Sequence, residues 1–263
     1  MNSRLKYVLK YFKYYLFAKH KKGHGIHSPF IFNLILNVFR NKKKDEEIIS
    51  VFDVYNSYRI NNKVLKFKEI GAGTTYNKSK NISIGEIIKR SSVNKKYGKL
   101  IYDLVKYFNS INIIEIGSSV GISAAYIAQA APKANFTSIE GIEEKIKIAK
   151  QIATELKLST EFIQGNFNSI LNSVLDKYEN LDLVFFDGNH KRKNTLEYFN
   201  LCLKKIHNET VFVFDDIHWS EEMEEAWNEI KNHSKVRVSV DLFRMGLIFF
   251  KKELSYENYV IKF

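Results

Sequence analysis

The sequence has only one cysteine, Cys202, and two prolines, Pro29 and Pro132, in 263 residues. A single thiol cannot form a disulfide within the chain, so nothing indicates an oxidising compartment. Cys202 lies in a segment with the pattern of a helix, which predicts a packed thiol rather than a nucleophile. The low proline content, with 12 glycines, argues against a fibrous or disordered chain.

Long apolar runs are also absent. No stretch of 18 residues is apolar and free of charge, so we expect no transmembrane helix. Lys10, Lys13 and Lys19 interrupt the N-terminal apolar positions, which is unlike a signal peptide. We therefore expect a cytoplasmic protein. A hydrophobic content of 45% is enough for one α/β domain with an appendage.

Positive charge is concentrated early in the chain. Residues 1–100 hold 22 Lys/Arg and 6 Asp/Glu, whereas residues 101–263 hold 19 and 23. This asymmetry predicts a basic, mainly helical N-terminal region over residues 1–94, with a lid, substrate-binding or interaction role, and a second domain over residues 95–263. Residues 4–18 have the spacing of an amphipathic helix, which either packs on its own domain or lies on an anionic membrane. His20, His24 and His27 follow in a loop and give only a weak zinc signal, because no cysteine pairs accompany them.

Strands and helices alternate from Ile111 onward, which is typical of a parallel sheet. The predicted strands are residues 111–116, 135–140, 160–164, 181–186, 210–214, 236–242 and 247–251. We expect a doubly wound, mostly parallel, seven-stranded sheet of Rossmann-like type that ends in an antiparallel hairpin.

A glycine-containing segment, Glu115–Gly121, lies where the first of these strands turns into a helix. Glycines allow a tight turn and let the backbone approach a ligand beyond the strand ends. A phosphate-binding loop fits less well, since no Gly-Lys-Ser/Thr follows. A turn with only a structural role remains an alternative.

Polar residues follow each of the next four strands, which would place all of them on one rim of a parallel sheet. Glu140 and Gly141 follow the second strand, where an acid can bind ribose hydroxyls or cap a helix. Asn166 and Phe167 follow the third and could frame an adenine. The last two strand ends carry Asp187 with His190, and Asp215 with Asp216.

These motifs resemble the class I S-adenosylmethionine (SAM)-dependent methyltransferases, and in particular the catechol and caffeoyl-coenzyme A type O-methyltransferases, over about residues 95–252. The resemblance implies SAM as cofactor and Glu140 as the ribose-binding acid. In the first motif the implied cofactor-binding residues are Glu115, Gly117, Ser118, Ser119, Gly121 and Ser123. From their places at the strand ends, we also expect Gly141, Asn166, Phe167, Asp187 and His190 to bind the cofactor.

Nearly the whole chain also resembles bacterial class I methyltransferases of Bacteroidetes type. The shared segments are His24–Phe30, Gly71–Gly73 and Asp241–Gly246. This narrower resemblance implies no substrate, but dimers are common among similar proteins and a homodimer is one expected assembly.

The first family also implies a divalent cation, Mg²⁺, Mn²⁺ or Ca²⁺, held by Asp187, Asp215 and Asp216. Asp216 stands where that family usually has Asn, and three carboxylates leave excess negative charge on one cation. The alternative is that Asp215 or Asp216 contacts the cofactor or caps the following helix.

His190 stands where that family has a lysine proposed as general base. A histidine can take the proton of a hydroxyl near neutral pH, or it could simply contact the cofactor. Asp187 would share the catalytic role, and His218 is a second candidate. The leading hypothesis is O-methyl transfer to a small or lipid-linked molecule. The alternatives are an RNA methyltransferase that uses the basic N-terminal region, and a binding protein with a decayed site.

Overall fold

The computed structural model describes residues 3–19, 23, 25–42, 46–68 and 79–263. The chain divides into two compact units. The central unit comprises residues 42–174, and the terminal unit comprises residues 1–41 together with 175–263. The domain boundary predicted after residue 94 stays a prediction.

The terminal unit begins with helix α1 (Ser3–Phe17), as predicted for residues 4–18. Helix α2 (Pro29–Leu34) continues as a turn of π-helix over Ile35–Phe39. The Ser28 hydroxyl accepts a hydrogen bond from the Ile31 amide, and Pro29 occupies the first turn, where it loses no intrahelical bond.

The central unit carries six helices and five strands among its described residues. They are α3 (Glu46–Arg59), β1 (Val64–Lys68), β2 (Ser79–Ser83), α4 (Ile84–Ser91), α5 (Lys95–Tyr107), β3 (Asn112–Ile116), α6 (Ile122–Ala130), β4 (Asn135–Glu140), α7 (Glu143–Glu155), β5 (Glu161–Gln164) and α8 (Phe167–Leu175), which runs to the unit boundary. Strands β3, β4 and β5 pair in parallel, with Glu115 opposite Ser138 and Glu140 opposite Gln164. Their carboxyl ends therefore share one edge.

The chain then returns to the terminal unit with β6 (Leu181–Phe186), α9 (Arg192–Cys202), β7 (Ile206–Phe214), α10 (Glu221–Lys231), β8 (Val238–Asp241), β9 (Gly246–Phe249) and β10 (Glu257–Val260). Strands β6 and β7 are parallel, and β8 and β9 form the predicted antiparallel hairpin, with β9 paired to β7. Strand β10 pairs in parallel with β8.

The predicted mostly parallel sheet is confirmed, but the count of seven strands is wrong. The three strands β3–β5 and the five strands β6–β10 make eight. Strand β10 was not predicted because it is short and polar, and half of its side chains are exposed. The antiparallel pair β1–β2 was not predicted either. No helix among the described residues has the length and apolarity needed to cross a bilayer.

The core of the terminal unit is aromatic. The rings of Phe186 and Phe214, from adjacent parallel strands, stack with centroids 4.2 Å apart. Phe199 and Cys202, both on α9, are buried, so the predicted packed thiol is confirmed. Burial raises the pKa of that thiol, which makes it a poor nucleophile. This packing fixes the ends of β6 and β7, which carry the acids described below.

Candidate functional site

Residues 115–121 of the central unit, which comprise the end of β3 and the turn that follows it, are called here the glycine loop. Gly117 and Gly121 have φ values of 100° and 85°, which favour glycine, and Ser119 also has a positive φ of 48°. A Cβ on Gly121 would lie 2.7 Å from the Cβ of Ala149 on α7. Glycine at 121 thus permits both the turn and the close approach of α6 to α7.

Glu140, at the end of β4, bonds directly to the glycine loop. Its Oε2 accepts a hydrogen bond from the Ser119 amide at 2.8 Å, and its Oε1 accepts one from the Ile142 amide at 3.0 Å. Each carboxylate oxygen has two lone pairs, so both retain capacity to accept ribose hydroxyls. The predicted ribose-binding acid therefore lies beside the predicted cofactor loop, and the neighbouring Gly141 is buried.

Glu115 is fully buried at the start of the glycine loop. Burial raises its pKa to about 7, although the nearby hydroxyls of Ser123 and Ser138 oppose that shift. Ser138 donates to Oε2 at 2.5 Å. The Oε1 atom of Glu115 and the hydroxyl of Ser118 are buried side-chain oxygens without a hydrogen-bond partner in the structure. Buried polar atoms of this kind commonly form hydrogen bonds to a bound ligand or to water.

Asn166 and Phe167 follow β5 on the same edge. Asn166 is exposed, and its Oδ1 accepts a hydrogen bond from the Asn168 amide at 3.0 Å, which caps the start of α8. Phe167 is half-buried. The structure thus gives Asn166 a local capping role, and adenine binding by this pair stays a prediction.

In the terminal unit, Asp187 follows β6 and pairs with His190. The Nε2 atom of His190 lies 3.5 Å from Oδ1 of Asp187. Asn189 and His190 have φ values of 71° and 29°, so the turn is strained, and the Asn189 amide donates to the Tyr198 hydroxyl at 3.1 Å. The Nδ1 atom of His190 is buried without a partner in the structure.

The Asp187–His190 pair has strongly shifted pKa values. Burial and the charge of Asp215 raise the pKa of Asp187, against the opposing hydrogen bond and charge of His190. Burial alone would lower the pKa of His190, but the hydrogen bond and charge of Asp187, with Asp216 and Asp215, raise it to about 9. Because the charge of Asp187 is what raises the pKa of His190, the two groups titrate as one coupled pair.

Asp215, at the end of β7, is fully buried and bonded to Arg244. Nε of Arg244 donates to Oδ1 at 3.0 Å and Nη2 donates to Oδ2 at 2.8 Å. Nε also lies 3.6 Å from Oδ1 of Asp216, whose φ is 54°. Burial and the charge of Asp215 raise the pKa of Asp216 to about 6, against the opposing effect of Arg244. The sequence analysis did not predict Arg244 as a residue of the site.

This arrangement does not fit the predicted cation site of Asp187, Asp215 and Asp216. Arg244 engages both oxygens of Asp215 and already supplies a positive charge there. Within residues 3–19, 23, 25–42, 46–68 and 79–263, no three His, Cys, Asp or Glu side chains are grouped so that they could hold a metal ion. Of the N-terminal histidines, His20 and His24 lie outside the described residues, as do Gly71–Gly73, and His27 is exposed.

His218 has both of its ring nitrogens in contact with carboxylates. Its Nδ1 lies 2.9 Å from Glu224 Oε1 and its Nε2 lies 2.8 Å from Asp241 Oδ2, and its ring stacks on Phe243. Burial alone would lower its pKa, but the bonds and charges of Asp241 and Glu224 raise it. Because both nitrogens are engaged, the geometry gives no support to the predicted catalytic role of His218.

Residues 114–217 match the family model described as a methyltransferase domain. No curated protein matches the chain. The chain is similar to the solved O-methyltransferase from Bacillus cereus in complex with S-adenosylhomocysteine (SAH), at 18% identity and a TM-score of 0.55, with 80% of this chain and 93% of that chain covered.

Two further solved structures have a similar fold. The O-methyltransferase TomG from Streptomyces achromogenes, in complex with SAM, is 19% identical at a TM-score of 0.56, with 84% and 95% covered. An SAH-bound methyltransferase from Podospora anserina is 11% identical at a TM-score of 0.60, with 86% and 97% covered. These likenesses confirm the predicted Rossmann-like fold.

Proposed function

We propose that this chain is a SAM-dependent methyltransferase and that it transfers the methyl group to a hydroxyl oxygen of a small or lipid-linked acceptor. The observation that carries this proposal is the bond between the Ser119 amide and Glu140, which joins the glycine loop to the acid at the next strand end. Two of the similar structures are O-methyltransferases by description, which supports oxygen as the acceptor atom.

Several groups of the central unit fit the cofactor. Glu140 would accept the ribose hydroxyls, and the backbone at Gly117 and Ser119 would lie against the amino-acid part. The unpartnered oxygens of Glu115 and Ser118 offer further buried acceptors for it. When bound, SAM supplies a methyl group on a sulfonium centre, which the acceptor oxygen displaces in line.

In the terminal unit, His190 is our candidate for the group that removes the acceptor proton. Asp187 lies within ion-pair distance of its Nε2, and a carboxylate in that position orients an imidazole. The raised pKa of His190 means that the base form becomes populated only as pH approaches about 9. We therefore propose that methyl transfer speeds up from neutral to alkaline pH.

We further propose that the reaction needs no divalent cation. In the cation-dependent arrangement, three acids share one ion, whereas here Arg244 balances the charge of Asp215 through two hydrogen bonds. Arg244 would thus keep the acidic cluster compact without a metal.

Calorimetry with SAH tests the cofactor assignment. We expect binding by the wild type with the same affinity in Mg²⁺ and in a chelator. Glu140→Gln should weaken binding by roughly tenfold or more, because a charge-assisted acceptor is lost. Glu143→Gln is the matched control, since Glu143 is an exposed acid at the start of α7 and should leave the affinity unchanged.

A wild-type protein that does not bind SAH would contradict the assignment, and binding that requires Mg²⁺ would contradict the cation-independent part. The RNA-modifying alternative stays a prediction, which salt-sensitive retention on RNA would favour.

A further inference from the structure

Helix α1 is attached to the terminal unit by one face. Tyr14 and Ala18 are buried against Phe243, and Tyr7 packs on the same cluster. The Tyr14 hydroxyl donates to the carbonyl of Ile261 at 2.5 Å. Lys10 is paired with Glu224 at 2.7 Å. These contacts define the inner face of α1 and fix its rotation about its own axis.

The opposite face of α1, called here the outer face, is apolar and exposed. Its six members and their exposed fractions are Leu5 51%, Val8 54%, Leu9 51%, Phe12 60%, Tyr15 50% and Leu16 59%. They recur at spacings of one, three and four residues, so they form one continuous stripe on a helix. A surface helix of a globular protein normally presents polar side chains to water, whereas the outer face of α1 presents apolar side chains.

The charged residues of the first 44 positions are all of one sign. Residues 1–44 contain 11 Lys/Arg and no Asp or Glu. Lys13 is exposed on α1, and the Lys262 ammonium lies 3.5 Å from the ring centroid of Tyr15. A helix with an apolar stripe and basic flanks has the composition of an interfacial helix that lies in the plane of an anionic membrane.

We propose that the outer face of α1 binds the surface of an anionic lipid bilayer. The apolar stripe enters the boundary between headgroups and acyl chains, and the lysines contact anionic headgroups. A second copy of the chain fits the outer face less well. In a symmetric dimer two basic segments would meet, and residues 1–44 contain no Asp or Glu to balance their charge. The proposal does not depend on methyl transfer.

Vesicle flotation of the full chain tests the proposal. We expect binding to phosphatidylcholine vesicles that contain phosphatidylglycerol, and much weaker binding to phosphatidylcholine alone. The triple variant Leu9→Ser, Phe12→Ser, Leu16→Ser should bind roughly tenfold or more weakly, since it removes buried apolar area. Lys13→Glu should weaken binding by roughly fivefold or more, and added salt should act in the same direction.

The matched control is Ile60→Ser, which removes an exposed apolar side chain from outside α1, 76% accessible, and should bind like the wild type. Circular dichroism and urea unfolding of the triple variant show whether it is folded, independently of vesicles and of any cofactor. The proposal is overturned if the triple variant floats as well as the wild type. It is also overturned if light scattering shows a dimer that the triple variant dissociates while neither protein binds vesicles.

Discussion

The guanidinium of Arg244 contacts both carboxylate oxygens of Asp215, at 3.0 and 2.8 Å, although Asp215 has no exposed surface. Arg244 lies in the turn between β8 and β9, and Asp215 directly follows β7. The planar guanidinium matches a carboxylate in this two-bond geometry, which a lysine cannot reproduce. The pair therefore links the antiparallel hairpin to the parallel strands whose ends carry the candidate catalytic acids.

Arg244→Ala should strongly destabilise the fold. It leaves a buried carboxylate unpaired, which typically costs about 3–5 kcal/mol, and we expect the free energy of unfolding in urea to fall by that order. The matched control is Arg192→Ala. The Arg192 side chain is 47% exposed and pairs with Glu229 and Glu225 at the surface, so its loss should cost less than about 1 kcal/mol.

Replacing both partners distinguishes pairing from packing. The double variant Arg244→Met, Asp215→Asn should recover part of the loss, because no charge is left buried. Equal unfolding free energies for Arg244→Ala and Arg192→Ala would show that the Asp215 pair is worth no more than a surface ion pair.

The sequence predicts the strand-end residues well, since a buried parallel strand followed by a polar residue is a local pattern. Glu140 beside the glycine loop follows from that pattern. Arg244 does not, because its partner lies 29 residues earlier and the contact exists only once β9 pairs with β7. A catalytic role for His218 was predicted from its position after Asp216. In the structure, however, Asp241, 23 residues later in the chain, engages the Nε2 atom of its ring.

Gly121→Ala should disrupt the glycine loop. A methyl group there would lie 2.7 Å from the Cβ of Ala149, and the residue would keep a positive φ of 85°. Steric overlap and backbone strain each cost about 1–3 kcal/mol, so we expect a loss of a few kcal/mol in unfolding free energy and weaker SAH binding.

A second substitution separates the two causes. Gly121→Ala combined with Ala149→Gly removes the closer overlap but leaves the Cα of residue 149 at 2.9 Å and the backbone strain, so stability should recover only in part. Full wild-type stability of Gly121→Ala alone would show that the loop relaxes without cost.

Glu115 should make stability depend on pH. Its pKa is raised from 4.5 to about 7, so the folded chain holds the proton more tightly than the unfolded chain. The stability that this provides is fully present below about pH 4.5 and is lost as pH rises through about 7, a change of about 3 kcal/mol. Urea unfolding measured across that range should show the decline.

Glu115→Gln removes this titration and should make the decline smaller, leaving the part due to Asp187 and Asp216, whose pKa values are also raised by burial. Glu143→Gln, at an exposed position, should leave the decline unchanged. The same slope in wild type and Glu115→Gln would show that Glu115 does not contribute to the pH dependence.

The His190 imidazole should titrate near pH 9. Its raised pKa comes chiefly from the Asp187 hydrogen bond and charge, which outweigh the effect of burial. NMR of histidine-labelled protein should therefore show His190 still protonated at neutral pH, and Asp187→Asn should move its pKa down toward the ordinary value of about 6.5. His233 serves as the control in the same spectra, because burial and Lys235 lower its pKa and it does not contact Asp187. A His190 pKa at or below 6.5 in the wild type would contradict the pairing and would allow His190 to act as a base at neutral pH.

With the pairing intact, a group that loses its proton near pH 9 also predicts a methyl-transfer rate that rises through the same range in wild type and not in His190→Gln.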